Sequence, residues 1–193
     1  MITVAALYVD PRGPYPSMPG VECWDEQRDA RLYAGPHPVV AHPPCGPWGA
    51  FKWRCYLQPA DLGPLAVEQV RRWGGVLEHP KASGLWPHCA LPKPGELPDV
   101  AGGRCIEVNQ VDWGHACAKP TWLYLVGCHP ERYPRTAPGK PTHGIWYGSF
   151  ERAGRAGPHL RGASKEIRRR TPPPFAEFLV ALARRCRGNN GEI

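Results

Sequence analysis

Pro36-His37-Pro38-Val39-Val40-Ala41-His42-Pro43-Pro44-Cys45-Gly46-Pro47-Trp48 is the stretch from which the fold can be read. Val39-Val40-Ala41 is a short apolar run of the kind that forms a buried strand. Pro43 and Pro44 must end it, because proline fixes φ and carries no backbone N–H for a sheet ladder. Cys45 is therefore delivered at the carboxyl end of a strand on a stiff loop. In open α/β sheets that edge is where ligands bind. Taken alone, the stretch reads equally as a proline-rich turn that happens to hold a cysteine, and its neighbours decide between the two.

Downstream, Gly49 to Tyr56 is aromatic and basic and reads as a loop. Pro59 to Trp73 reads as a helix with Leu62, Leu65, Val70 and Trp73 among its apolar positions. Gly63-Pro64 suits its first turn, and Gly74-Gly75 ends it. Val76-Leu77 is then a second buried strand, delivering Glu78-His79-Pro80. Strand, loop, helix and strand make a βαβ unit. Its parallel strands place Cys45 and Glu78 on the same edge of the sheet.

Upstream, Ile2 to Val9 is a continuous apolar run that reads as a central strand buried on both faces. Residues 10–20 hold four prolines and two glycines and cannot form a helix. Val21 to Trp24 reads as a short strand, and Asp25 as the N-cap of a short helix over Glu26 to Tyr33. Beyond the βαβ unit, Lys81 to Gly103 is proline-rich and reads as a surface loop. Arg104 to Val111 and Thr121 to Val126 read as the two strands of a β-hairpin. Phe175, Phe178, Leu179 and Leu182 mark the apolar face of a last helix running from Phe175 to about Arg187. The expected class is α/β, with a mostly parallel sheet, a C-terminal β-hairpin, few helices and long Pro/Gly-rich loops. Its expected organisation is a catalytic-like core over 1–127, an irregular basic and aromatic insertion over 128–163, and a basic segment with a closing helix over 164–193.

The chain has 193 residues, 42% of them hydrophobic, which is enough for one core. No segment approaches the roughly 18 continuous apolar residues of a membrane span. The start has no basic n-region, so a cytoplasmic location is expected, that of the host if the chain is phage-encoded. The net charge is +7, and Arg152, Arg155, Arg161, Lys165, Arg168, Arg169, Arg170, Arg184, Arg185 and Arg187 crowd the last quarter. Such a load suits a polyanion, and DNA is the expected partner, with Lys52, Arg54, Arg152, Arg155 and Arg168 as candidate contacts. The eight cysteines form no CxxC pair. The His88-Cys89, His115-x-Cys117 and Cys128-His129 groups match no common zinc spacing, and no metal is expected.

In their shared order, these segments resemble the DNA (cytosine-5)-methyltransferases, in the manner of short, phage-type, divergent members. Pro43-Pro44-Cys45 is similar to the loop that carries that family's nucleophile. Glu78-His79-Pro80 is similar to the strand end that carries the acid touching the pyrimidine N3. Lys119-Pro120-Thr121, leading into a strand closed by Gly127, resembles a later motif. Arg170-Thr171-Pro172-Pro173-Pro174 resembles the motif before the last helix, and Glu22-Cys23-Trp24-Asp25 the segment after the second strand. The resemblance implies a reduced Rossmann-like methyltransferase sheet and transfer of a methyl or other one-carbon group to cytosine C5. It implies Cys45 as nucleophile, Glu78 as acid and Lys119 as a contact to the exocyclic oxygen. It further implies S-adenosylmethionine, or another one-carbon donor, held near Asp10, Trp24, Asp25 and Pro43. The family's glycine loop after the first strand is replaced by Asp10-Pro11-Arg12-Gly13-Pro14-Tyr15, and one strand–helix unit before Pro-Pro-Cys is missing.

The residue types suit that chemistry. Carbon 5 of cytosine is a poor nucleophile, and a thiolate adding to C6 turns the ring into an enamine. A carboxylic acid at N3 eases the addition. His42 and His79 flank the two key residues and are placed to tune them. Two other functions remain open at this point: a catalytically inactive DNA-binding relative of the same fold, and a cysteine-dependent enzyme acting on free nucleotides.

Overall fold

A computed structural model of the chain describes residues 1–49, 52, 59–128, 138–145 and 160–187. Six strands form one sheet: β1 (Val4–Leu7), β2 (Val21–Trp24), β3 (Val39–Ala41), β4 (Gly75–Pro80), β5 (Arg104–Asn109) and β6 (Pro120–Val126), in the order β2-β1-β3-β4-β6-β5. β2, β1, β3 and β4 run parallel, and β6 lies antiparallel between β4 and β5. Two helices cover it, α1 (Leu62–Trp73) on one face and α4 (Pro173–Ala183) on the other. Between them in sequence lie the one-turn helix α2 (Leu85–His88), the two-residue strands β7 (His143–Gly144) and β8 (Arg161–Gly162), and α3 (Lys165–Arg169). Among the described residues no helix is long and apolar enough to cross a membrane.

Strand alternation sorts the core into two layers. Ala5, Leu7, Val39, Ala41 and Leu77 pack with Ala66, Val67 and Val70 of α1. Val4, Ala6, Val40, Val76, Leu123 and Leu125 pack with Phe175, Phe178, Leu179 and Leu182 of α4. The four residues expected on the apolar face of the last helix are thus its contact face. The same alternation carries past the apolar positions: Glu78 follows Val76 onto the α4 side. His42 follows Val40, because its N–H still pairs with the Leu7 carbonyl at 3.0 Å.

Several expected boundaries move. The first strand is shorter than Ile2 to Val9, because Tyr8 takes a left-handed φ of 60° and turns the chain. Two hydrogen bonds hold that costly conformation: Tyr8 N–H to the Trp24 carbonyl at 2.8 Å, and its hydroxyl to Gln69 at 2.7 Å. The helix expected over Glu26 to Tyr33 is a series of turns ending in a 3₁₀ turn at Ala30–Leu32. Asp29, with φ 55°, caps that turn, while Asp25 accepts from the N–H groups of Gln27 and Arg28. Residues 81–103 are not all surface loop: α2 forms there, and Leu85, Trp86 and Leu91 are buried. The strand expected over Arg104 to Val111 gives way to a 3₁₀ turn at Gln110–Trp113. The last helix stops at Ala183. Of the insertion over 128–163, the described part pairs β7 with β8 and bridges His143 to Cys117.

Candidate active site

The chain leaves β1 towards β2 on one side and leaves β3 towards β4 on the other. This reversal opens a crevice at the carboxyl edge, between the loops after β1 and β3. The loop after β3 is rigid for local reasons. Pro43 is buried, and Cys45 opens a 3₁₀ turn over Gly46–Trp48. The Trp48 carbonyl accepts from Gly84 N–H at 2.8 Å, and its ring lies 4.8 Å from that of His88. Segments following β4 therefore clamp the cysteine loop, and Cys45 itself is exposed.

Glu78 is 9% exposed. Its Oε2 lies 3.1 Å from His42 Nδ1, and its Oε1 accepts from Gln110 Nε2 at 2.7 Å. Gln110 Nε2 also donates to Thr121 Oγ1 at 3.0 Å, and that hydroxyl donates to the Lys119 carbonyl at 2.9 Å. Beyond His42, its Nε2 lies 2.6 Å from the Tyr15 hydroxyl. β3, β4, the turn after β5, the start of β6 and the loop after β1 thus meet in one buried polar network.

Charge follows from this packing. Burial alone would push the Glu78 carboxyl up; Lys119 and the hydrogen bond from His42 outweigh it and bring it down to about 2. Burial pushes the Cys45 thiol up, and the Glu78 carboxylate adds to the effect, while Lys119 and Arg169 of α3 pull the other way. The resting pair is a neutral thiol beside a carboxylate. His79 is fully buried with its ring edge-on to Trp86, at 6.3 Å and 81°. Burial lowers it to about 4, so it is neutral at physiological pH.

Cys45, Glu78 and Lys119 are therefore gathered within electrostatic reach of one another. The four residues expected at a donor site are placed otherwise. Asp10 is held in a two-point pair with Arg12, at 3.0 and 2.9 Å, and also accepts the Arg12 N–H. Trp24 is covered by the Arg28 guanidinium, 4.0 Å from its ring centre, and by Tyr33 edge-on at 5.2 Å. Asp25 is occupied by two backbone N–H groups, and Pro43 is buried. These contacts engage both oxygens of Asp10 but only Oδ1 of Asp25, and among the described residues the buried Trp24 indole N–H has no hydrogen-bond partner.

Among the candidate nucleic-acid contacts, Lys52 is exposed and Arg168 is half-buried on α3. Arg54, Arg152 and Arg155 lie outside the described residues. Sequence reasoning gave Tyr15 and Gln110 no role, and took Thr121 only as part of a motif and Arg169 only as part of the basic segment. Gln110 and Thr121 carry a usable signal, since each is a polar residue at the boundary of an apolar strand. Tyr15 in its proline-rich loop carries none. No family model, curated protein or solved structure matches this chain.

Proposed function

We propose that the protein modifies a pyrimidine base, cytosine C5 in DNA, through a covalent adduct between Cys45 and ring carbon 6. The observation that carries this reading is an exposed thiol in the loop after β3, within electrostatic reach of a buried carboxylate on the adjacent parallel strand β4 that His42 and Gln110 hold. The order of the sheet supports the Rossmann-like methyltransferase reading, because the strand–helix unit missing from the sequence would lie at a sheet edge, where its loss leaves the crevice intact.

The resting protonation states set the first step. The S–H bond breaks and its proton passes to the Glu78 carboxylate. The sulfur electron pair forms the S–C6 bond, and the C5–C6 π pair shifts to C4–C5 as the C4–N3 π pair moves to N3. Glu78 then gives its proton to N3, so that thiol and base become a neutral enamine adduct and Glu78 returns to carboxylate. Lys119 is the cation at hand for the exocyclic oxygen. Carbon 5 is now nucleophilic towards a proton or a one-carbon electrophile. A base reaches this crevice only once it is out of the stack, and Arg169 of α3, within electrostatic reach of the thiol, suits a phosphate that flanks it.

An oligonucleotide carrying a deoxynucleoside of pyrimidin-2-one, which accepts nucleophiles at C6 readily, tests the reading. The expected product is a conjugate that survives denaturation and maps to Cys45. Capture by the free nucleoside alone, with none on DNA, would assign the site to nucleotides. Capture undiminished in Cys45→Ala would remove the reading altogether.

A further inference from the structure

Tyr15 is 2% exposed, and among the described residues its hydroxyl has one hydrogen-bond partner, His42 Nε2 at 2.6 Å. A buried phenol needs an acceptor for its proton, and burial drives its ionisation far above the ordinary tyrosine range. If His42 donated from Nε2, the Tyr15 proton would be left in the core without a partner. The hydroxyl therefore donates, Nε2 accepts, and in the neutral ring the one proton of His42 sits on Nδ1. From there it is directed at Glu78 Oε2, 3.1 Å away. Gln110 Nε2 supplies the matching N–H to Oε1. Both carboxylate oxygens are thus held from the interior by nitrogen donors. Each oxygen keeps a further lone pair that these two donors do not use, and Cys45 lies within electrostatic reach of the carboxylate.

We propose that Tyr15 and His42 are positioning residues that act through Glu78. They keep it a carboxylate at rest and confine any proton it gains to the face that meets the substrate. Glu78 then takes the thiol proton and can release it only back to sulfur or on to the base. This inference rests on the pyrimidine reading for its chemistry, and on the Tyr15–His42–Glu78 geometry alone for its structure. The other groups facing the network are Lys119 from the turn before β6, neutral His79 on β4, His115 from the turn before Lys119, and the thiols of Cys45 and Cys23. None of them contacts His42 Nε2, so the tautomer is controlled by Tyr15.

The test has two arms on the full chain. In the first, long-range ¹H–¹⁵N NMR of the resting protein, with His42 assigned by its loss in His42→Asn, reads the ring state. In the neutral ring the Nδ1–H tautomer is expected. An Nε2–H tautomer overturns the inference.

In the second arm, exchange of the cytosine C5 hydrogen in a DNA oligonucleotide is followed against pH. His42→Ala is expected to lose about 10²-fold, the scale of a misplaced catalytic group. His42→Asn, whose amide restores an N–H at the Nδ1 position, is expected to recover most of that loss. Tyr15→Phe leaves Nε2 without its donor, so the ring of that variant should gain the Nε2–H tautomer and its exchange should fall severalfold. Equal loss in His42→Ala and His42→Asn, with wild-type tautomer and exchange in Tyr15→Phe, would show a merely structural role and overturn the inference. A wrong tautomer in an exchanging protein defeats the relay alone. Absence of exchange in the wild-type protein with the expected tautomer defeats the pyrimidine reading, and the relay's chemistry with it.

Discussion

His42 Nδ1 lies 3.1 Å from Glu78 Oε2, joining residues that leave two neighbouring parallel strands and are 36 positions apart in sequence. A buried carboxylate so placed makes stability depend on pH. Its folded value, about 2, is below the ordinary 4.5. The stabilisation is fully present above about pH 5 and drains as pH falls towards about 2. At ~1.4 kcal/mol per pH unit, the upper bound is about 3 kcal/mol. Denaturation followed between these limits should show the loss in the wild-type protein and a flatter curve in Glu78→Gln. Equal slopes would place the acid sensitivity elsewhere.

The exposed Cys45 thiol titrates above the ordinary cysteine range because burial and Glu78 disfavour its charge, with Lys119 opposing. Alkylation of Cys45, read peptide by peptide, should accelerate with pH well past the usual thiol midpoint. Lys119→Ala should slow it severalfold at fixed pH, and Glu78→Gln should speed it by a similar factor. An unchanged rate in both variants would mean that neither charge reaches the sulfur.

The βαβ logic of the opening stretch was legible because prolines and buried β-branched runs act locally. Pro43-Pro44 had to end β3, and Gly74-Gly75 had to end α1, so Cys45 and Glu78 had to share an edge. The left-handed turn at Tyr8 and the failed helix after Asp25 were not legible. Both are held by partners distant in sequence or by a conformation that propensity disfavours, such as Asp29 at φ 55°. The network behind Glu78 was only half legible. His42 could be read from its place beside the cysteine loop, whereas Tyr15 reaches it from a proline-rich loop by tertiary packing, which no periodicity reports.

Gly75 joins α1 to β4 with φ 128°, and a methyl group there would overlap the Val39 carbonyl of the neighbouring strand. Gly75→Ala is expected to lower stability by about 3 kcal/mol or more, through strain and a disrupted β3–β4 ladder. Thermal unfolding checks this; a shift of a degree or two would show that the strands slide apart at little cost.

Asp10, held at both oxygens by Arg12, and the Trp24 ring, covered by Arg28 and Tyr33, are engaged within the chain after β1 and β2. Calorimetric titration with S-adenosylmethionine should therefore give no binding at sub-millimolar concentration. Tight binding would show that this loop rearranges to admit the cofactor.

The central claim is that Cys45 and Glu78 act together on a pyrimidine ring. Deuterium exchange at cytosine C5 in a DNA oligonucleotide, run in heavy water without any methyl donor and read by mass spectrometry, tests it most directly. The wild-type protein should exchange the C5 hydrogen. Cys45→Ala should abolish exchange, and Glu78→Gln should cut it by at least about 10²-fold. Exchange that persists without Cys45, or none in a folded, DNA-bound wild-type protein, would contradict it.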